Sequence, residues 1–153
     1  MRNVKVLLAA VLVAGGLSVF TASPAQAALP TCTSWSTYYA AYTTSYVIHV
    51  PSAGYQTGTL RCVLKRGNRN DAVRVLQRGL NQCRGYDNVA EDGDYGPITR
   101  AAVLDTQQWA NGSFGAGIAE DGEYGPQTKD WIQFTVWTWP ANQRTIWCEH
   151  SPV

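Results

Sequence analysis

The sequence predicts a mainly α fold: a compact three-helix bundle with a disulfide-stapled, extended or β-forming segment on its N-terminal side. Three observations carry that expectation. A ten-residue motif, Ala90-Glu91-Asp92-Gly93-Asp94-Tyr95-Gly96-Pro97-Ile98-Thr99, returns at 119–128 with eight of ten positions unchanged, and each copy reads as a turn that starts a helix. Upstream, Val73, Leu76 and Leu80 recur at helical spacing behind the capping candidates Asn70 and Asp71. Four cysteines follow an export signal, an even number that reads as two disulfides in a small secreted chain.

Residues 1–27 read as a signal peptide. Arg2 and Lys5 supply a positive start, 6–20 are apolar, and Ala25-Gln26-Ala27 is a small-residue cleavage site, which places the mature start at Ala28. No later stretch reaches the apolar length of a membrane-spanning helix and no lipid-attachable cysteine follows the cleavage site, so the mature protein is expected to be soluble, exported and monomeric. Without Arg2 and Lys5 the basic side chains number ten against eleven acidic ones, which argues against nucleic acid as a partner. Charge is unevenly spread: 61–84 hold seven basic groups and one acid, and 87–130 hold nine acids and two bases.

Residues 28–62 are rich in Thr, Ser and Tyr. Tyr46-Val47-Ile48-His49-Val50 has strand propensity and stops at Pro51, Ser52-Ala53-Gly54 signals a turn, and 57–63 can return as a second strand, with a further extended piece at 35–39. The helical domain is placed at 63–140. Its first helix is expected to run from Asn70 or Asp71 to about Asn81. Its second is expected over 97–109, stopped by Asn111-Gly112, and its third over 126–137, buried through Trp131, Ile132, Phe134 and Val136. In both repeats Pro97 and Pro126 suit a first helical position, and the preceding acids lie where the helix dipole favours them. The tail, 141–153, is expected to fold back across the bundle. Three disulfide connectivities are open to Cys32, Cys62, Cys83 and Cys148. The preferred one joins Cys32 to Cys62, stapling the N-terminal segment to the repeat region, and Cys83 to Cys148, tying the tail to the first helix.

Catalytic constellations are not supported. The acid pairs Glu91/Asp92 and Glu120/Asp121 invite a two-carboxylate glycosidase, yet they occupy equivalent turns, where capping and the dipole account for them. The cysteines form no C-x-x-C pair and His49 and His150 stand alone, so metal-ligand spacing is missing, and paired cysteines leave no thiol nucleophile. No Gly-x-Ser-x-Gly elbow occurs, and the Asp-Gly turns are too short for a calcium loop. No cofactor is expected.

Read in order, Gly67-x-x-Asn70-x-x-Val73-x-x-Leu76-Gln77-x-x-Leu80-Asn81, then Asp92-Gly93-x-Tyr95-Gly96-Pro97-x-Thr99-x-x-Ala102-Val103-x-x-x-Gln107, then Asp121-Gly122-x-Tyr124-Gly125-Pro126-x-Thr128, the chain resembles the three-helix peptidoglycan-binding domain of bacterial cell-wall hydrolases over about 63–137. The resemblance implies a non-catalytic module that holds a secreted protein on the wall. Ring, carboxylate, hydroxyl and guanidinium groups suited to sugars and stem peptides nominate Asp92, Tyr95, Thr99, Arg100, Asp121 and Tyr124 as ligand-binding residues. The competing reading packs the two tyrosines into the core and leaves the acids as turn formers. The alternative functions are a secreted interaction or inhibitor protein built on the same bundle and, less favoured, a small wall hydrolase.

Overall fold

Asn70 starts the first helix by a local device: its Oδ1 accepts the backbone N–H of Val73 at 3.1 Å. From there α1 runs Asp71–Arg84 and ends at Gly85, whose left-handed φ of 76° lets its N–H reach back to the last carbonyls. The Asn70 amide also donates to the carbonyl of Cys32 at 3.0 Å, so the cap doubles as a tie to the N-terminal segment. Val73, Leu76 and Leu80 are fully buried along one face of α1.

The computed structural model describes residues 28–151 except 42 and 57; the expected signal peptide, 1–27, lies outside the described residues. Chain order is β1 (Ser34–Tyr39), β2 (Tyr46–Ser52), α1, α2 (Pro97–Phe114), α3 (Pro126–Lys129), β3 (Gln133–Thr138) and β4 (Arg144–His150). The strands form one antiparallel sheet in the order β1-β2-β3-β4. This corrects the mainly α three-helix bundle to a mixed α/β fold. α3 has only four residues, and the expected helix over 126–137 gives way to a strand.

The physical reason lies in the period. Ile132, Phe134 and Val136 are buried while Gln133 and Trp137 are less so, an alternation of two that fits a strand and not a helix; Thr135, also buried, departs from it and hydrogen-bonds Gln82 of α1. The run Ile-Gln-Phe-Thr-Val-Trp-Thr is also rich in β-branched and aromatic side chains, which favour extended backbone. α2 runs on to Phe114, because Asn111 and Gly112 continue the helix and Gly115, at φ 63°, ends it. The expected return strand at 57–63 does not form among the described residues. Val63 makes an isolated parallel bridge to Thr31, and β2 finds its second partner in β3 instead.

α1 lies so close to β3 that a Cβ on Gly79 would meet the Gln133 carbonyl at 2.7 Å. The core joins Ile48, Val50, Phe134 and Val136 of the sheet to Val73, Leu76 and Leu80 of α1. Disulfides join Cys32 to Cys62 and Cys83 to Cys148. The second fixes the end of α1 to β4, alongside a bond from Gln82 Nε2 to the carbonyl of Thr145. The outer edge of β1 is occupied by Gln56, whose N–H donates to the Trp35 carbonyl at 3.0 Å and whose Oε1 accepts the N–H of Thr37 at 3.2 Å.

Candidate functional site

Each Asp-Gly turn closes on a buried glutamine. In the first copy Gln77, on α1, donates through Nε2 to Asp92 Oδ1 (2.8 Å), the Asp94 carbonyl (2.9 Å) and Thr99 Oγ1 (3.2 Å), and its Oε1 accepts the Gly93 N–H (2.8 Å). Gln107, on α2, repeats the arrangement: Nε2 donates to Asp121 Oδ1, the Glu123 carbonyl and Thr128 Oγ1, all at 3.0 Å, and Oε1 accepts the Gly122 N–H at 2.8 Å. Asp92 and Asp121 complete the turns by accepting the N–H two residues on, each at 2.8 Å. The helix before each turn thus holds the turn that starts the next helix. Gly93 and Gly122 sit at φ 80° and 68°, conformations that only glycine takes without strain.

A strap of chain ahead of α1 clasps both copies. Asn68 and Gly67 bond the backbone of Tyr95, and Leu64 bonds that of Tyr124 in both directions, at 2.8 and 2.9 Å. Both tyrosine rings are 0% exposed. Both rings are therefore enclosed in the core and not presented at the surface. Burial raises both phenol pKa values, Tyr124 the more deeply enclosed. The Tyr95 hydroxyl donates to the Gly122 carbonyl at 3.0 Å, while the Tyr124 hydroxyl is buried without a hydrogen-bond partner among the described residues.

The other nominated residues divide in the same way. Thr99 is buried in the Gln77 network. Asp92 is exposed, and the Asp94 N–H together with the Gln77 amide holds its carboxyl below the usual carboxylate range. Arg100 and Asp121 come together on the surface, Arg100 Nη2 donating to the Asp121 carbonyl at 2.8 Å. The structure does not bring Asp92 and Asp121 to one point; each faces its own cleft.

The cleft beside the first copy, about 330 Å³, is lined by Arg69, Arg74, Asp71, Asp92 and Asp94. Its charges are mostly spent on one another, through Arg69–Asp94 at 2.6 Å and Arg74–Asp71 at 2.8 Å. The cleft beside the second copy, about 420 Å³, is lined by Arg61, Val63, Asp121, Glu123, Pro126 and Gln127 among others. Arg61, Asp121 and Glu123 make no ion pair among the described residues, so this cleft offers charge of both signs to a ligand. Sequence reasoning missed Arg61 and Gln127, which lie outside the motif, and the role of Gln77 and Gln107. The signal for the glutamines was present: a polar residue on the apolar face of each helix, ahead of each Asp-Gly turn.

Glu91, Glu120 and His49 are engaged elsewhere. Glu91 bridges Arg78 at 3.0 Å and Arg144 at 3.1 Å, and Glu120 accepts from Asn111 at 2.8 Å. His49 stacks on Trp137 with ring centroids 5.5 Å apart, and burial with Arg78 nearby pushes its pKa down to about 4. Among the described residues no three His, Cys, Asp or Glu side chains gather as metal ligands, and no helix is long and apolar enough to cross a membrane.

Neither a curated protein nor a solved structure matches the chain. The family model for the peptidoglycan binding domain matches residues 69–132, a span that begins just before α1, contains both glutamine-centred turns and stops at the threshold of β3. The stretch 69–132 is thus similar to a peptidoglycan binding domain, and it is held against a sheet whose four strands lie outside the match.

Proposed function

We propose that the protein is a non-catalytic, exported binder of bacterial peptidoglycan that takes a stem peptide into the cleft beside the second turn. The observation that carries this reading is the set of charges there that make no ion pair among the described residues, Arg61 against Asp121 and Glu123, held on a backbone that Gln107 fixes from beneath. Stem peptides present free carboxylates and amines, and a rigid cleft with both signs of charge answers both. The family match supports the wall as the partner, and the two disulfides support a location outside the cytoplasm. The engagement of Glu91 with two arginines supports the absence of glycosidase chemistry, since an ion-paired carboxylate is a poor general acid.

The test mixes mature protein with purified insoluble peptidoglycan and measures depletion from the supernatant. Depletion that falls when Arg61→Ala or Gln127→Ala is introduced is expected, with no clearing of the wall suspension. Failure to sediment with the wall at low salt would overturn the reading.

A further inference from the structure

The sheet has a face that lies outside the matched stretch and away from the core. Strand register places Trp35, Thr37 and Tyr39 of β1 on one face with Val47 and His49 of β2 and Trp137 of β3; Ile48, Val50 and Val136 point to the other face, into the core. Where β1 and β2 meet the β3–β4 turn, this face opens into a groove of about 290 Å³ lined by Thr37, Tyr39, Val47, Gln56 and Trp139. Tyr39 is 57% exposed and Trp139 52%, large apolar rings that burial in the core would ordinarily claim.

Trp139 is held in place from its backbone, its N–H donating to the Ser45 carbonyl at 2.7 Å. Gln56 is held too: its backbone stands at a left-handed φ of 61°, and its amide exchanges bonds with Thr37, Nε2 donating to Oγ1 at 3.0 Å. That pairing uses one of the two amide hydrogens and leaves the Thr37 hydroxyl hydrogen free to donate. The groove therefore combines two exposed rings, an aliphatic floor and a fixed set of neutral donors and acceptors. None of its five lining residues is charged.

We infer that this groove binds one ring of an uncharged saccharide chain, giving the protein a glycan-binding site on the sheet. A pyranose has an apolar C–H face that packs on aromatic rings and a rim of hydroxyls that needs neutral hydrogen-bonding groups. A charged ligand finds no counter-charge here, and a wholly apolar one would strand the Gln56 amide and the Thr37 hydroxyl. The volume falls just below the range of ligand pockets, about 300–1,000 Å³, which suits a single ring of a longer chain. The nearby pair of Trp35 and the exposed Tyr55, ring centroids 5.3 Å apart, continues the aromatic surface beyond Gln56.

The inference does not rest on the stem-peptide reading, and a probe without peptide separates them. Oligomers of N-acetylglucosamine are titrated into the full mature protein while tryptophan fluorescence and amide NMR shifts are followed. Saturable binding is expected, weakened about tenfold or more by Tyr39→Ala and by Trp139→Ala. Trp139→Phe, which keeps a ring, retains most of the affinity. Arg61→Ala, in the other cleft, leaves saccharide binding unchanged. No saturable binding by the native protein overturns the inference, as does undiminished binding by a Trp139→Ala variant with a native circular dichroism spectrum. Self-association in sedimentation that Trp139→Ala abolishes also overturns it, by assigning the groove to a second copy of the chain.

Discussion

The two turns are the same object followed by different chains. Gln77 and Gln107 hold them bond for bond, and both lead into a helix with proline at its start. Yet the first helix continues for 18 residues and the second for four. After Thr99 the chain reads Arg-Ala-Ala-Val-Leu, mostly good helix formers; after Thr128 it soon places Ile132, Phe134 and Val136 at every second position, all buried, in a run rich in β-branched and aromatic residues. A turn motif therefore fixes where a helix begins, and the periodicity downstream decides whether it lasts. The copies also differ in support. Tyr95 and Arg100, from the first, bond the carbonyls of Gly122 and Asp121 in the second, and the hydroxyl of Tyr124 has no corresponding partner.

The largest expected effect comes from removing the hubs. Gln77→Ala orphans the buried Gly93 N–H and is expected to cost about 3 kcal/mol in urea unfolding. Gln107→Ala is expected to cost less, about 2 kcal/mol, because Gln107 borders the larger cleft and water can replace its side chain there. Equal costs would show that the two networks are equally sealed. Next comes Gly79→Ala, where alanine's gain in helix propensity of about 1 kcal/mol is outweighed by the collision with the Gln133 carbonyl. A net loss of about 2 kcal/mol is expected, and a stabilised variant would mean that α1 is not clamped to β3.

The tyrosines give the sharpest contrast at a smaller scale. Tyr95→Phe forfeits the bond to Gly122 and is expected to lose about 1 kcal/mol, whereas Tyr124→Phe, relieved of an unpartnered buried hydroxyl, is expected to lose nothing or gain slightly. Matching losses would reveal a partner for Tyr124. Smallest is Arg100→Ala: its single bond to the Asp121 carbonyl is exposed, and a change within about 0.5 kcal/mol is expected by thermal or urea unfolding.

The middle of the chain was legible because its signals are local. Capping at Asn70, helical spacing through Leu80 and the doubled turn each act within a few residues, and α1 and α2 begin where those signals place them. The first two strands were legible for the same reason, from short β-branched and aromatic runs. What escaped was non-local. The segment after Thr128 carried both a helix start and a strand pattern, and the choice was decided by β2, which offers Ile48 opposite Val136 and Val47 opposite Trp137. Asp-Gly-x-Tyr does not say which way the tyrosine turns. Only the strap at Leu64 and Asn68, bonded to the backbone of each tyrosine, shows the rings facing inward. Arg61 and the Gln56 groove are products of chain crossing and leave no motif.

The pairing of β2 with β3 also sets an order of events. The two strands flank the matched stretch, so closing the sheet must join segments far apart in the chain, an entropic cost met late and slowly. The β1–β2 hairpin and the glutamine-centred turns need only near neighbours and can form while β3 is still absent. A chain emerging from its N-terminal side would thus hold the β1–β2 hairpin and the two turns beside an unfinished sheet, one edge of β2 and the inner face of α1 open until the final strands arrive.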